Sequence, residues 1–129
     1  MLLNFGNKRG GRIKSRTYMQ NIDAIKKDVM DSVSGLYGNH LKKIILFGSY
    51  ARNDSNEESD IDFLVITDNV KENNFKLIDN QLTELAARLS IKHGPIISLM
   101  ETNDKHFDRW KMSLPLFVNI SKEGKTLYA

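Results

Sequence analysis

A chain of 129 residues with 40% hydrophobic and 27% charged residues has the size and composition of one soluble globular domain. It has no cysteine, which excludes disulfides and Cys-based zinc sites, and no apolar run of about 18 residues that could span a membrane, so a cytoplasmic protein is expected. The net charge of +3 is uneven: residues 1–20 carry Lys8, Arg9, Arg12, Lys14 and Arg16 with no acid, giving +5, and the remainder carries −2.

The chain opens on this basic arm, residues 1–16, followed by a single domain over 17–129. Met1, Leu2 and Leu3 are too few for a signal-peptide core, and the basic residues follow them. Gly6, Gly10 and Gly11 oppose a stable helix before about Ser15. A solvated, poorly ordered terminus accounts for the arm more simply than contact with nucleic acid, which its charge would also permit. Ile22, Ile25, Val29, Val33 and Leu36 then recur at three or four residues, the stripe of an amphipathic helix, which Gly38-Asn39 should stop.

A first strand is predicted at about Lys42 to Phe47, and its near-continuous apolar run suggests cover on both faces. It stops at Gly48-Ser49. Tyr50, Ala51 and Arg52 suit one helical turn, and 53–59 is loop by composition. Asp60 and Asp62 open a second apolar run that ends near Ile66. A long helix follows at roughly Glu72 to Leu89, with Phe75, Ile78, Leu82, Leu85 and Leu89 as its core stripe, and Lys92 to Pro95 breaks it. Ile96 to Glu101 reads as a third strand. From Asn103 the chain looks helical, with Phe107 and Trp110 on one face; Pro115 starts another helical turn carrying Leu116, Phe117 and Ile120. A turn at Glu123-Gly124 and the apolar pair Leu127 and Tyr128 close the sequence. His40, His93 and His106 have no His or Cys at ligand spacing, so none is expected to bind a metal.

The chemistry concentrates between Lys43 and Ile66. Side chains alternate along a strand, so Asp60 and Asp62 share a face that Ile61 and Phe63 do not. Two carboxylates on one face can clamp Mg²⁺, an oxygen-seeking cation usually held by one or two carboxylates together with substrate phosphates. Gly48 lets the backbone approach a phosphate closely, and Ser49 adds a hydroxyl donor. If a short helix begins there, Ser49 serves as its N-cap as well as a phosphate ligand. The arrangement requires Asp60, Asp62 and the Ser49 hydroxyl to converge.

The spacing of Gly48-Ser49, ten residues, then Asp60-Ile61-Asp62 resembles the signature of the polymerase-β-like nucleotidyltransferases. Phe47-Gly48-Ser49-Tyr50-Ala51-Arg52, followed by Ser59-Asp60-Ile61-Asp62-Phe63-Leu64-Val65, is similar to their minimal nucleotidyltransferase (MNT) branch, small prokaryotic proteins of which many are antitoxins paired with HEPN-domain toxins. The likeness covers roughly residues 20–128. It implies an α/β (α+β) fold, with a small mixed β-sheet of three to four strands flanked by helices. Asp60, Asp62 and Ser49 would be catalytic, Asp60 and Asp62 would hold Mg²⁺, and Gly48, Ser49 and Arg52 would bind the nucleotide.

It further implies that AMP passes from ATP to a tyrosine of a cognate HEPN ribonuclease toxin, silencing it in a hetero-oligomer. Arg52 could instead touch the partner protein. Two departures stand out. Asn53 replaces the glycine usual after the arginine, a mild change because asparagine tolerates the left-handed conformation. Ser98 stands where a third carboxylate is usual, and Glu101, the acid of that strand, should face the other side. A non-catalytic antitoxin that acts by binding is therefore an alternative. A nucleotidyltransferase of small molecules such as aminoglycosides is a further one, though such enzymes generally carry an additional acceptor domain.

Overall fold

The computed structural model describes residues 11–56, 58–68 and 72–129, with side-chain environments for 22–56, 58–68 and 80–129. Helix α1 spans Gly11–Tyr37 and strand β1 Leu41–Phe47; a single turn of helix, α2, covers Ser49–Arg52, and β2 covers Ile61–Thr67. Helix α3 (Glu72–His93) leads to β3 (Ile97–Asn103), and α4 (Asp104–Trp110), α5 (Pro115–Glu123) and β4 (Lys125–Tyr128) complete the chain. The strands form one mixed sheet in the order β3-β2-β1-β4, in which β2 and β3 run parallel and the other two pairings are antiparallel. A parallel pair needs a crossover, and α3 supplies it.

Helix α1 begins four residues ahead of Ser15, the start that the glycines suggested. Once the buried segment from Ile22 to Val33 is fixed against the sheet, propagation back through Gln20, Met19, Arg16, Lys14 and Arg12 costs little, because these are good helix formers. Residues 1–10 of the basic arm lie outside the described residues. At the other end Gly38 takes φ +56°, the left-handed stop expected after the stripe.

The sheet is buried from both sides, as the apolar run of β1 predicts: Ile44, Ile45 and Leu46 are all buried. Ile44 and Leu46 join Ile61, Phe63, Val65 and Ile97 beneath α1 and α3, where Ile25, Val29, Val33, Leu82, Leu85 and Leu89 fill the larger core. Phe75 and Ile78 of the predicted stripe fall outside the described side chains. Ile45, Leu64 and Ile66 point the other way, to Phe107, Phe117 and Ile120 of α4 and α5. Burying that many large apolar side chains, at roughly 1.5–3 kcal/mol each, makes the two-layer cover of the sheet the main source of stability.

Three expectations change. The terminal apolar pair belongs to a fourth strand: β4 pairs with β1, Leu46 opposite Lys125 and Ile44 opposite Tyr128. Gly124 permits that return, since a Cβ there would stand 2.5 Å from both the Ile120 carbonyl and Ile45 Cγ2. Trp110 does not share the buried side of Phe107; it is 37% exposed, with the Arg109 guanidinium 5.6 Å from its ring centroid. It is the last residue of a two-turn helix, where the chain is already leaving the sheet. Leu116 is likewise exposed while Phe117 and Ile120 are buried.

Candidate functional site

The sheet register brings the two halves of the glycine-serine and aspartate pattern together. Phe47, the last residue of β1, lies opposite Asp62, the second residue of β2, so the turn after β1 sits beside the start of β2. Gly48 takes φ +79° and ψ −155°, a region that essentially glycine alone adopts. A Cβ on Gly48 would lie 2.8 Å from Asp62 Oδ2. The Asp62 carboxylate is thus laid against bare backbone, and any side chain at position 48 would have to displace it.

Ser49 begins α2, and its place is a correction: the N-cap is Gly48, which has no side chain to cap with, and Ser49 is the first helical residue. The physical reason is the conformation of Gly48, which turns the chain one residue earlier than a serine cap would. The amides of Ala51 and Arg52 donate to the Gly48 carbonyl at 3.0 and 3.1 Å. With a single turn, α2 has little macrodipole to offer. Asn53 ends it at φ +62°, the left-handed conformation for which asparagine substitutes for glycine.

Asp60 lies immediately before β2 and is exposed, whereas Asp62 is half-buried. Burial, and after it the Asp60 charge, pushes the Asp62 carboxyl above the ordinary aspartate range. A carboxylate whose charge is disfavoured in this way gains from a cation, and two oxygen-bearing acids at one strand end have the donor chemistry that Mg²⁺ prefers. Among the described residues no group of three or more His, Cys, Asp or Glu side chains is assembled.

In the parallel register Ser98 of β3 stands directly opposite Asp62 and is exposed. Glu101 aligns with Val65, on the other side of the sheet as expected, and accepts a 2.6 Å hydrogen bond from the buried Thr67 hydroxyl. Arg52 Nε donates to Asp54 at 3.1 Å, and a guanidinium nitrogen lies 3.6 Å from Glu123 at the end of α5. Nothing in the sequence signalled the Arg52–Glu123 pairing, which depends on where β4 brings the chain back.

The histidines engage elsewhere. His40 contacts Asp68 at the opposite end of β1 and β2; His93 Nε2 lies 2.8 Å from Asp28, where Lys92 also binds; His106 sits edge-on to Phe117. A cleft of about 450 Å³ opens between α1 and α3, with Ser32, Leu36, Glu84 and Arg88 among its walls. The aspartates lie on the other side of the sheet, so this cleft is separate from them. No described helix is long and apolar enough to cross a membrane.

The sequence model of the nucleotidyltransferase domain family matches residues 23–125, most of the chain. Three chains of Methanocaldococcus jannaschii, inferred protein adenylyltransferases by name, are similar to this one. The first is 34% identical over 103 residues, 79% of this chain and 93% of its own; the second is 39% identical over 80 residues, 62% of this chain and 77% of its own. The third is 36% identical over 95 residues, 71% of this chain and 61% of its own. Among solved structures, a toxin-antitoxin complex with AMP-PNP superimposes with a TM-score of 0.53 at 21% identity, covering 81% of this chain and 73% of that one. A variant of the toxin-antitoxin pair MntA-HpeT, in which two aspartates separated by a single residue are changed to glutamate, gives 0.50 at 20% identity, covering 81% and 72%. At these identities the structural likeness establishes the fold alone.

Proposed function

Because the chain belongs to the nucleotidyltransferase domain family, we propose that it is an antitoxin that transfers AMP from ATP to a tyrosine of a cognate HEPN ribonuclease toxin in the cytoplasm. The observation that carries this reading is the packing of the Asp62 carboxylate against Gly48, which places the aspartate pair beside the Gly48-Ser49 turn. The adenylyltransferase names of the relatives support AMP as the group transferred. The shared fold with toxin-antitoxin structures supports a toxin as acceptor.

In this reading Asp60 and Asp62 hold Mg²⁺, which would relieve the burial and neighbouring charge that push the Asp62 carboxyl above the ordinary aspartate range. Bound metal supplies neutralisation of triphosphate and pyrophosphate charge. Gly48 would admit the phosphates close to the backbone, Ser49 would donate its hydroxyl to them, and the half-exposed Arg52, paired with Asp54 and Glu123, would meet phosphate or partner. The tyrosine oxygen bonds to the α-phosphorus, the bond to the β-phosphate oxygen breaks, and pyrophosphate leaves with the electron pair.

The test is incubation of the purified chain with its HEPN partner, Mg²⁺ and ATP labelled at the α-phosphate. Label is expected on a partner tyrosine and absent when Asp60→Asn and Asp62→Asn are combined. Undiminished label from that double variant would remove the assignment. One observation favours a second reading, neutralisation by binding alone: the site has two carboxylates and a serine across from them. An unlabelled partner whose ribonuclease is nonetheless silenced by the double variant would select it.

A further inference from the structure

The segment 110–116, where α4 passes into α5, leaves four large apolar side chains in water: Trp110, Met112, Leu114 and Leu116, with Met112 83% exposed. Apolar residues scattered singly over a surface are ordinary, but four within seven residues are not. The turn is closed: the amides of Ser113 and Leu114 both donate to the Trp110 carbonyl at 2.9 Å, which sets Trp110 and Leu114, four residues apart, on one side of it. The Arg109 guanidinium, 5.6 Å from the Trp110 ring centroid, steadies the indole. Lys111 lies 3.4 Å from Asp108, whereas Arg109 and Lys105, one turn apart on α4, meet no carboxylate among the described residues. The result is an apolar ridge flanked by two unpaired cations.

The ridge belongs to the layer on the aspartates' side of the sheet. Asp62 shares its face with Leu64 and Ile66, which pack against Phe107, Phe117 and Ile120 of α4 and α5. Helix α5 starts at the ridge and ends at Glu123, 3.6 Å from Arg52 just beyond the Gly48-Ser49 turn. Its nine residues span about 13 Å at 1.5 Å each. A standard interface covers about 800 Å² of each partner, a disc roughly 30 Å across, so one protein seated over the aspartates also reaches the ridge. The ridge by itself exposes on the order of a few hundred Å², too little to hold two copies of this chain together. We propose that the 110–116 ridge is the docking site for the acceptor protein, which meets it with an apolar socket rimmed by carboxylates. This rests on the transferase reading given above, in which that protein is the HEPN partner. Trp, Met and Arg are the residue types that concentrate at interface centres, and Arg109 with Lys105 supplies the charge that an acidic rim complements.

Trp110 is the chain's single tryptophan, so 5-fluorotryptophan in its place gives one fluorine resonance that reports the ridge alone. The full chain is titrated with the purified HEPN partner in the absence of ATP, and AMP transfer is then measured with Mg²⁺ and labelled ATP. The resonance is expected to shift on binding. Met112→Ser combined with Leu116→Glu should weaken binding and raise the KM for the partner at least tenfold, with kcat and the urea midpoint unchanged. Both positions are exposed, and an acid in the first turn of α5 favours that helix. Arg109→Glu should weaken binding by a factor that shrinks as salt is raised. Ile91→Ser, equally exposed but on α3 across the sheet, should change nothing. A resonance that the partner leaves unmoved, or native affinity in the double variant, overturns the inference, and label on the partner in the same samples leaves the transferase reading intact. Binding through the ridge without label keeps the docking site and removes the transferase reading. A resonance that moves when the chain is concentrated alone, or when phosphatidylserine vesicles are added, assigns the ridge to a second copy or to a lipid surface and overturns the inference.

Discussion

Replacing Gly48 with alanine tests the junction on which the candidate site depends. Two costs follow from the structure. The first is conformational: φ +79° with ψ −155° is a glycine region, and holding an alanine there costs about 1–3 kcal/mol. The second is steric: the new methyl would stand 2.8 Å from Asp62 Oδ2, so something must give by about 0.6 Å before ordinary contact at 3.4 Å is restored. The Asp62 side chain is the part free to move, and a misplacement of about 1 Å in a reacting constellation can cost roughly a hundredfold in rate. Gly48→Ala should therefore lower the urea midpoint by roughly 1 M, taking a slope of about 1–3 kcal/mol/M, and reduce AMP transfer roughly tenfold to a hundredfold. The two costs separate in a cycle with Asp62→Ala, which removes the carboxylate and should recover the steric part of the stability loss while the backbone part remains. A Gly48→Ala chain with native midpoint and native transfer, or one whose loss is identical in the Asp62→Ala background, would show that glycine and aspartate do not meet.

Asp62→Asn should stabilise the metal-free protein at neutral pH while abolishing transfer. Its folded-state carboxyl holds a proton more tightly than the unfolded chain does, so it takes stability away as pH rises from the unfolded value near 3.9, and the asparagine lacks that slope. Urea midpoints from pH 4 to 7 check this, and parallel slopes for the two proteins would refute it. In the same variants, Mg²⁺ should raise the melting temperature of the native chain and not that of Asp60→Asn combined with Asp62→Asn, a difference read by thermal melts at fixed protein concentration. Thr67→Val removes the hydrogen-bond donor that a buried hydroxyl gives Glu101 and should cost about 1–3 kcal/mol by urea denaturation, with AMP transfer unchanged because the pair lies on the far face of the sheet.

The parts of this molecule that periodicity alone exposes are the ones whose partners are interchangeable. Any apolar stripe will do against a sheet, so α1 and β1 could be read from spacing, and Asn53 could be read as a left-handed stop because its conformation is local. What depends on two distant segments meeting was hidden. The pairing of Leu46 with Lys125 makes a strand of a four-residue tail that is largely exposed, and no alternation marks it. Trp110 carries the same helical spacing from Phe107 that a core residue would, and only the end of α4 decides that it faces out. The site lies between these cases. Its residues stood in the sequence, and the register that sets Asp62 between Phe47 and Ser98 did not.

Two local penalties coincide at that register point. Gly48 holds a backbone conformation that other residues avoid, and Asp62 keeps a half-buried carboxyl next to a second acid. Neither improves packing: a type I turn with an alanine would close β1 more cheaply, and an asparagine would fill the space of Asp62 without the charge. Costs of this kind persist where the surrounding structure enforces them, and they cluster where a chain must do chemistry. Here the cost of one permits the other, since the bare Cα of Gly48 is what leaves space for Asp62 Oδ2. A cation would turn the Asp62 liability into binding energy. Under the proposed function, the same geometry that weakens the free protein would equip it to hold a metal-bound nucleotide.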